Sequence, residues 1–78
     1  LYIHIGVNHV VLSREIVMIF DYKGTSSPIM EEYLKKNKSK IVQLANGETK
    51  SIIITDHTIF FSPLASSTLK KRAQYLYL

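Results

Sequence analysis

Leu1, Ile3 and Ile5 alternate with Tyr2 and His4, the two-residue period of a half-buried strand. Gly6 and Asn8 interrupt the pattern, and Val10-Val11-Leu12 predicts a second short strand. Ser13-Arg14-Glu15 reads as a polar turn. Ile16-Val17-Met18-Ile19-Phe20 is apolar on both faces, which suits a central strand, although so short a run also fits a buried helical piece. Asp21 to Ser26, with Gly24 and its Ser and Thr residues, predicts a loop.

The period then changes. Ser27 is placed to cap a helix and Pro28 to open it. Ile29, Met30, Tyr33 and Leu34 share one helical face. Glu31 and Glu32 come early and Lys35 and Lys36 late, as the macrodipole favours, and they form two i,i+4 pairs.

Lys40 to Leu44 predicts a strand, and Asn46-Gly47 is a hairpin signal leading into Lys50 to Thr55. Asp56-His57 turns the chain again, Thr58 to Ser62 returns, and Pro63 ends that strand. Ser66-Ser67-Thr68 offers a helix cap, and Leu69 and Ala73 begin an apolar stripe. Tyr75 to Leu78 is apolar where a tail is expected to be polar, so it either packs on the domain or meets another chain. Asp21, Ser27, Pro28, Leu34, Lys35 and Lys36 recur at the same spacing as Asp56, Ser62, Pro63, Leu69, Lys70 and Lys71. A duplicated ββα unit explains that echo; so does coincidence in a chain rich in Ser and Lys. The fold class expected is α+β: one domain, residues 1–78, antiparallel and β-rich, with about six short strands and two short helices.

Composition narrows the function. Seventy-eight residues with 46% apolar and 21% charged content describe a small globular domain. No apolar run approaches the roughly 20 residues of a spanning helix, and no secretory signal is visible. Zero cysteines remove disulfides, zinc–thiolate sites and thiol nucleophiles, and fit a reducing compartment. A domain this small without staples is marginal alone, so association with copies of itself is a natural remedy. His4, His9 and His57 lack ligand spacing, and no phosphate-binding glycine motif occurs. Neither a catalytic set, nor a metal site, nor a cofactor site is expected.

The charge is more informative. The net charge is +4, and basic residues cluster as Lys35, Lys36, Lys38 and Lys40, then as Lys70, Lys71 and Arg72, with Lys50 between. The second cluster is expected early in its helix, where the macrodipole does not favour cations, so another use suggests itself. Contact with a phosphate backbone is one; a solvated face is the other. Arg14 sits between two apolar strands, where it is expected to project from a hairpin tip and where a guanidinium suits bidentate phosphate or guanine contact. Pairing with Glu15 or Asp21 is the structural alternative.

These features occur in a familiar order. Tyr2-Ile3-His4-Ile5-Gly6, Ser13-Arg14-Glu15-Ile16-Val17 with Ile19-Phe20-Asp21, Ser27-Pro28-Ile29, and Ser62-Pro63-Leu64 with Ser66 to Ala73 closely resemble the Rem family of extracellular-matrix (biofilm) regulators. The likeness covers essentially the whole chain and is nearest to the RemB, or YaaB-type, branch. It implies a LytTR-like fold, a cytoplasmic location and a ring-shaped homo-oligomer that binds double-stranded DNA, with mixed assembly with a paralogue as a further option and no membrane partner. By that likeness Arg14 matches a functional arginine and Pro28 the proline that opens the family's helix. DNA contact is expected from Arg14 and Lys50, with Lys35, Lys36, Lys70, Lys71 and Arg72 in reserve. The chain departs from the RemA branch after Asn46-Gly47, where Glu48 and Thr49 replace the start of an Arg-rich stretch and Lys50 alone stays basic. Two readings follow: DNA binding carried by other cations, or a protein-interaction module that assembles without DNA.

Overall fold

Ile3, Ile5 and Val11 form the inner face of the opening hairpin because every second residue of a strand points the same way. In the computed structural model, which describes residues 2–24 and 27–74, β1 (Tyr2–Gly6) pairs antiparallel with β2 (His9–Leu12). Val7 and Asn8 make the two-residue turn with φ of 46° and 59°. Gly6, at φ 129°, precedes it. Positive φ at both central residues is what the twist of a tight hairpin requires, and a β-branched valine is an unusual occupant.

A 3₁₀ turn, Ser13–Glu15, carries the chain into β3 (Ile16–Asp21), which belongs to a different sheet. That sheet has the order β3-β5-β6-β4, where β4 is Ile41–Gln43, β5 Ser51–Thr55 and β6 Ile59–Ser62. The joints β3–β5 and β5–β6 are antiparallel and β4–β6 is parallel. Asp56 and His57 form the predicted turn between β5 and β6, closed by Thr55 N–H donating to the Thr58 carbonyl at 2.9 Å.

α1 (Pro28–Lys36) begins as expected: the Ser27 hydroxyl accepts from Met30 N–H at 3.2 Å and Pro28 occupies the first turn. Met30 and Leu34 are half-buried, while Ile29 and Tyr33 of the same predicted face stay exposed. α2 (Ser66–Gln74) packs against β1 and β3. Its Leu69 is fully buried among Ile3, Ile5, Val11, Ile53 and Phe60, and burial of one such side chain contributes about 2 kcal/mol. The hairpin and α2 thus cover one face of the four-stranded sheet.

Four expectations are corrected. Ile16 to Phe20 is an edge strand; the central strands are β5 and β6, where Ile52, Ile53, Ile59 and Phe60 are buried. Asn46-Gly47 does not close a hairpin, because β4 runs parallel to β6 and the chain crosses over to reach β5. Of the pair only Gly47 takes a positive φ, 130°, while Asn46 does not, and pairing is decided by which strand lies alongside. Arg14 is not at a hairpin tip, since β2 and β3 lie in separate sheets. The echo between Asp21–Lys36 and Asp56–Lys71 is not a structural repeat: Ser27 caps a helix, whereas Ser62 ends a strand and is buried. Tyr75 to Leu78 lies outside the described residues.

Candidate nucleic-acid interface

Lys50 lies in the crossover just before β5, and its backbone is held from two sides. Its N–H donates to the Ser62 carbonyl at 2.9 Å, and its own carbonyl accepts from Tyr22 N–H at 3.0 Å. The residue is exposed all the same, so a fixed backbone presents a free-standing ammonium to solvent. Beside it runs an open cleft of about 300 Å³ lined by Asp21, Lys23, Glu48, Lys50, Ala65, Ser66 and Ser67.

That cleft mixes charge. Lys23 pairs with Glu48 at 3.5 Å, and Lys23 N–H donates to the Asp21 carboxylate at 3.2 Å. Two lysines face two acids, so the cleft as a whole is close to neutral. Lys23 is the residue that sequence reading missed. It stands alone in a loop, and only the Tyr22–Lys50 backbone bond, which brings the Tyr22–Gly24 turn beside β5, places it near Lys50.

Arg14 occupies the 3₁₀ turn between the sheets and is exposed. Neither alternative partner, Glu15 or Asp21, forms an ion pair with it among the described residues. Lys35 and Lys36 end α1; Lys36 pairs with Glu32 at 3.2 Å, and Lys35 points to solvent without an ion pair among the described residues.

Lys70, Lys71 and Arg72 behave differently from the expectation. Lys71 and Arg72 fall in the last turn of α2, where the macrodipole does favour cations, so their placement needs no second explanation. Arg72 has a structural task too: its guanidinium donates to the His4 carbonyl at 2.7 Å and ties α2 to β1. Lys70 and Lys71 are exposed and make no ion pair among the described residues. The structure therefore brings Lys50 together with Lys23, and leaves Arg14, the α1 end and α2 as separate cationic points.

A second groove, of about 350 Å³, runs between the β1–β2 hairpin and the β5–β6 turn, with His9, His57 and Glu15 among its walls. His9 stacks obliquely on Phe60, with ring centroids 4.9 Å apart, so packing accounts for it. No group of three potential metal ligands occurs among the described residues. No helix among them is long and apolar enough to cross a membrane.

The chain is similar to extracellular matrix regulatory protein B of Bacillus subtilis (strain 168), with 56% identity over 77 residues, spanning 99% of this chain and 95% of that protein. Residues 2–73 match the RemA-like family, described as extracellular matrix regulatory protein A-like. A match of that extent, joined to near-complete coverage of a relative, places the chain in the RemA-like family of extracellular matrix regulatory proteins.

Proposed function

We propose that this chain is a DNA-binding transcriptional regulator of extracellular-matrix genes that works in the cytoplasm as a ring-shaped homo-oligomer. Its repeated cations meet the phosphate backbone, and many weak contacts gain strength from copy number. The observation that carries this reading is the presentation of Lys50: a backbone clamped by two hydrogen bonds and a side chain left in solvent. Exposed Arg14, on its short turn, supports it. Arg suits a phosphate fork better than Lys does.

A specific observation favours the rival reading, an assembly module without DNA. Glu48 neutralises Lys23 within the same cleft that holds Lys50. One experiment separates the two. Light scattering is run on the purified chain alone and with duplex DNA at low and high salt. The regulator reading expects a complex at low salt that dissociates steeply as salt rises, because each neutralised phosphate releases counterions. An assembly that ignores DNA at low salt supports the module and overturns the regulator.

A further inference from the structure

The segment between β4 and β5 is anchored at its ends and free at its centre. The Gln43 carboxamide oxygen accepts from Ala45 N–H at 2.9 Å and from the Thr49 hydroxyl at 3.5 Å, and both Ala45 and Thr49 are buried. Asn46, Gly47 and Glu48 between them are exposed. Neither the Asn46 carboxamide nor the Gly47 N–H makes a hydrogen bond among the described residues. A Cβ at Gly47 meets nothing within 4 Å, so this turn stands clear of the rest of the domain.

Those conditions bear on the chemistry of asparagine, one of the labile side chains. Its Cγ is placed to close a five-membered ring with the backbone nitrogen of the next residue. Three things oppose closure: a hydrogen bond on that N–H, a hydrogen bond on the carboxamide, and a bulky side chain on the following residue. Glycine removes the last of these. The structure sorts the three asparagines of the chain. Asn37 donates its side-chain amide to the Tyr33 carbonyl at 2.9 Å and precedes Lys38. Asn8 precedes His9, whose ring packs on Phe60 with centroids 4.9 Å apart. Asn46 combines a following glycine, a free carboxamide and a free neighbouring N–H.

We propose that Asn46 is a deamidation site that the fold leaves open to reaction. The Gly47 nitrogen gives its proton to water and bonds to Asn46 Cγ. The bond from Cγ to the amide nitrogen breaks, and ammonia leaves with a proton returned from water. Water then opens the succinimide at one of its two carbonyls, leaving aspartate or isoaspartate at position 46. Nothing is oxidised or reduced, and water is the one co-reactant.

The product lowers the formal net charge by one unit from +4. It sets a second acid two residues from Glu48, in the loop that borders the cleft of Lys23 and Lys50. Two residues of chain span at most about 7 Å, inside the screening length of roughly 10 Å at 0.1 M salt. The new carboxylate therefore repels phosphate where Glu48 already does. That effect on DNA contact rests on the proposed function; the modification itself does not.

The test holds the purified chain at neutral pH, folded or in urea, and follows it by mass spectrometry. Trypsin releases residues 41–50 as one peptide that carries Asn46 and no other asparagine. This peptide is expected to gain about 1 Da and to split into aspartate and isoaspartate forms, while peptides with Asn8 and Asn37 keep their mass. The folded chain is expected to react within a few-fold of the rate in urea. Asn46→Gln, which must close a six-membered ring, is expected to lose the reaction. A folded chain that stays unmodified while the urea-unfolded one reacts overturns the proposal, as does modification at Asn8 or Asn37 as fast as at Asn46. By fluorescence polarisation, Asn46→Asp is expected to bind duplex more weakly than Asn46→Gln at low salt. Deamidation with equal binding by the two variants upholds the site and overturns its effect on DNA contact. Deamidation in a chain that binds no duplex upholds the site and removes the regulator reading.

Discussion

The Ser62 hydroxyl donates to the Ile5 carbonyl at 2.6 Å, a buried bond that ties the last strand of the sheet to the opening hairpin. The same oxygen accepts from Leu64 N–H at 3.0 Å, so one side chain satisfies two backbone groups. Ser62→Ala leaves both without that partner. The expected cost is about 1–3 kcal/mol, the penalty for an unsatisfied buried polar group. Urea unfolding is the check: the midpoint falls and the slope stays, because stability changes and the exposed area does not.

Gly6 and Gly47 share a backbone conformation and differ in surroundings. Their φ values are 129° and 130°, a region that side chains other than hydrogen rarely occupy. A Cβ at Gly6 meets Pro63 Cδ at 2.9 Å, whereas one at Gly47 meets nothing within 4 Å. Both alanine variants are expected to lose stability to the backbone strain they introduce, about 1–3 kcal/mol. Gly6→Ala loses more, and the difference in unfolding midpoint between the two measures the Pro63 contact.

Val7 carries the opposite kind of strain. It is exposed and held at φ 46°, where a left-handed conformation costs an L residue roughly 1–2 kcal/mol. Asparagine tolerates that conformation, and its side chain replaces little buried surface here. Val7→Asn is expected to raise the melting temperature by a few degrees, corresponding to about 1 kcal/mol in a domain of this size. An unchanged or lower melting temperature contradicts the strain at this turn.

Local chemistry was readable in the chain, and pairing was not. Ser27 and Pro28 set the start of α1 through bonds that span a single turn, so the sequence pattern sufficed. Asp56-His57 likewise closes on its immediate neighbours. The place of Ile16 to Phe20 at the edge depends on which strand inserts between it and β6, and that strand, β5, comes far later in the chain. Runs of β-branched residues suit an edge or a centre equally well when the other edge-protecting signals are absent. The same limit hid Lys23. Its proximity to Lys50 and Glu48 follows from a crossover that no local motif announces. Arg72 was visible as a charge, but its bond to the His4 carbonyl joins the two ends of the chain and has no sequence signature.

Charge in the Lys50 cleft separates the two functional readings most directly. Glu48 pairs with Lys23 at 3.5 Å, so one exposed acid offsets one of two neighbouring cations. Under the DNA reading, Glu48→Gln frees Lys23 and removes a repulsion toward phosphate. Duplex affinity is then expected to rise, and the slope of log affinity against log salt to steepen by about 1, one further phosphate contact. Lys50→Ala and Arg14→Ala are each expected to weaken binding and to flatten that slope by about 1. Fluorescence polarisation with a labelled duplex across a salt series reads all of these. Stability sets the control: Glu48, Lys50 and Arg14 are exposed, so their variants are expected to unfold within about 0.5 kcal/mol of the parent. A Glu48→Gln chain that folds as the parent does, yet binds duplex no better, removes the cleft from any role in DNA contact and leaves the protein-interaction module as the reading for this end of the molecule.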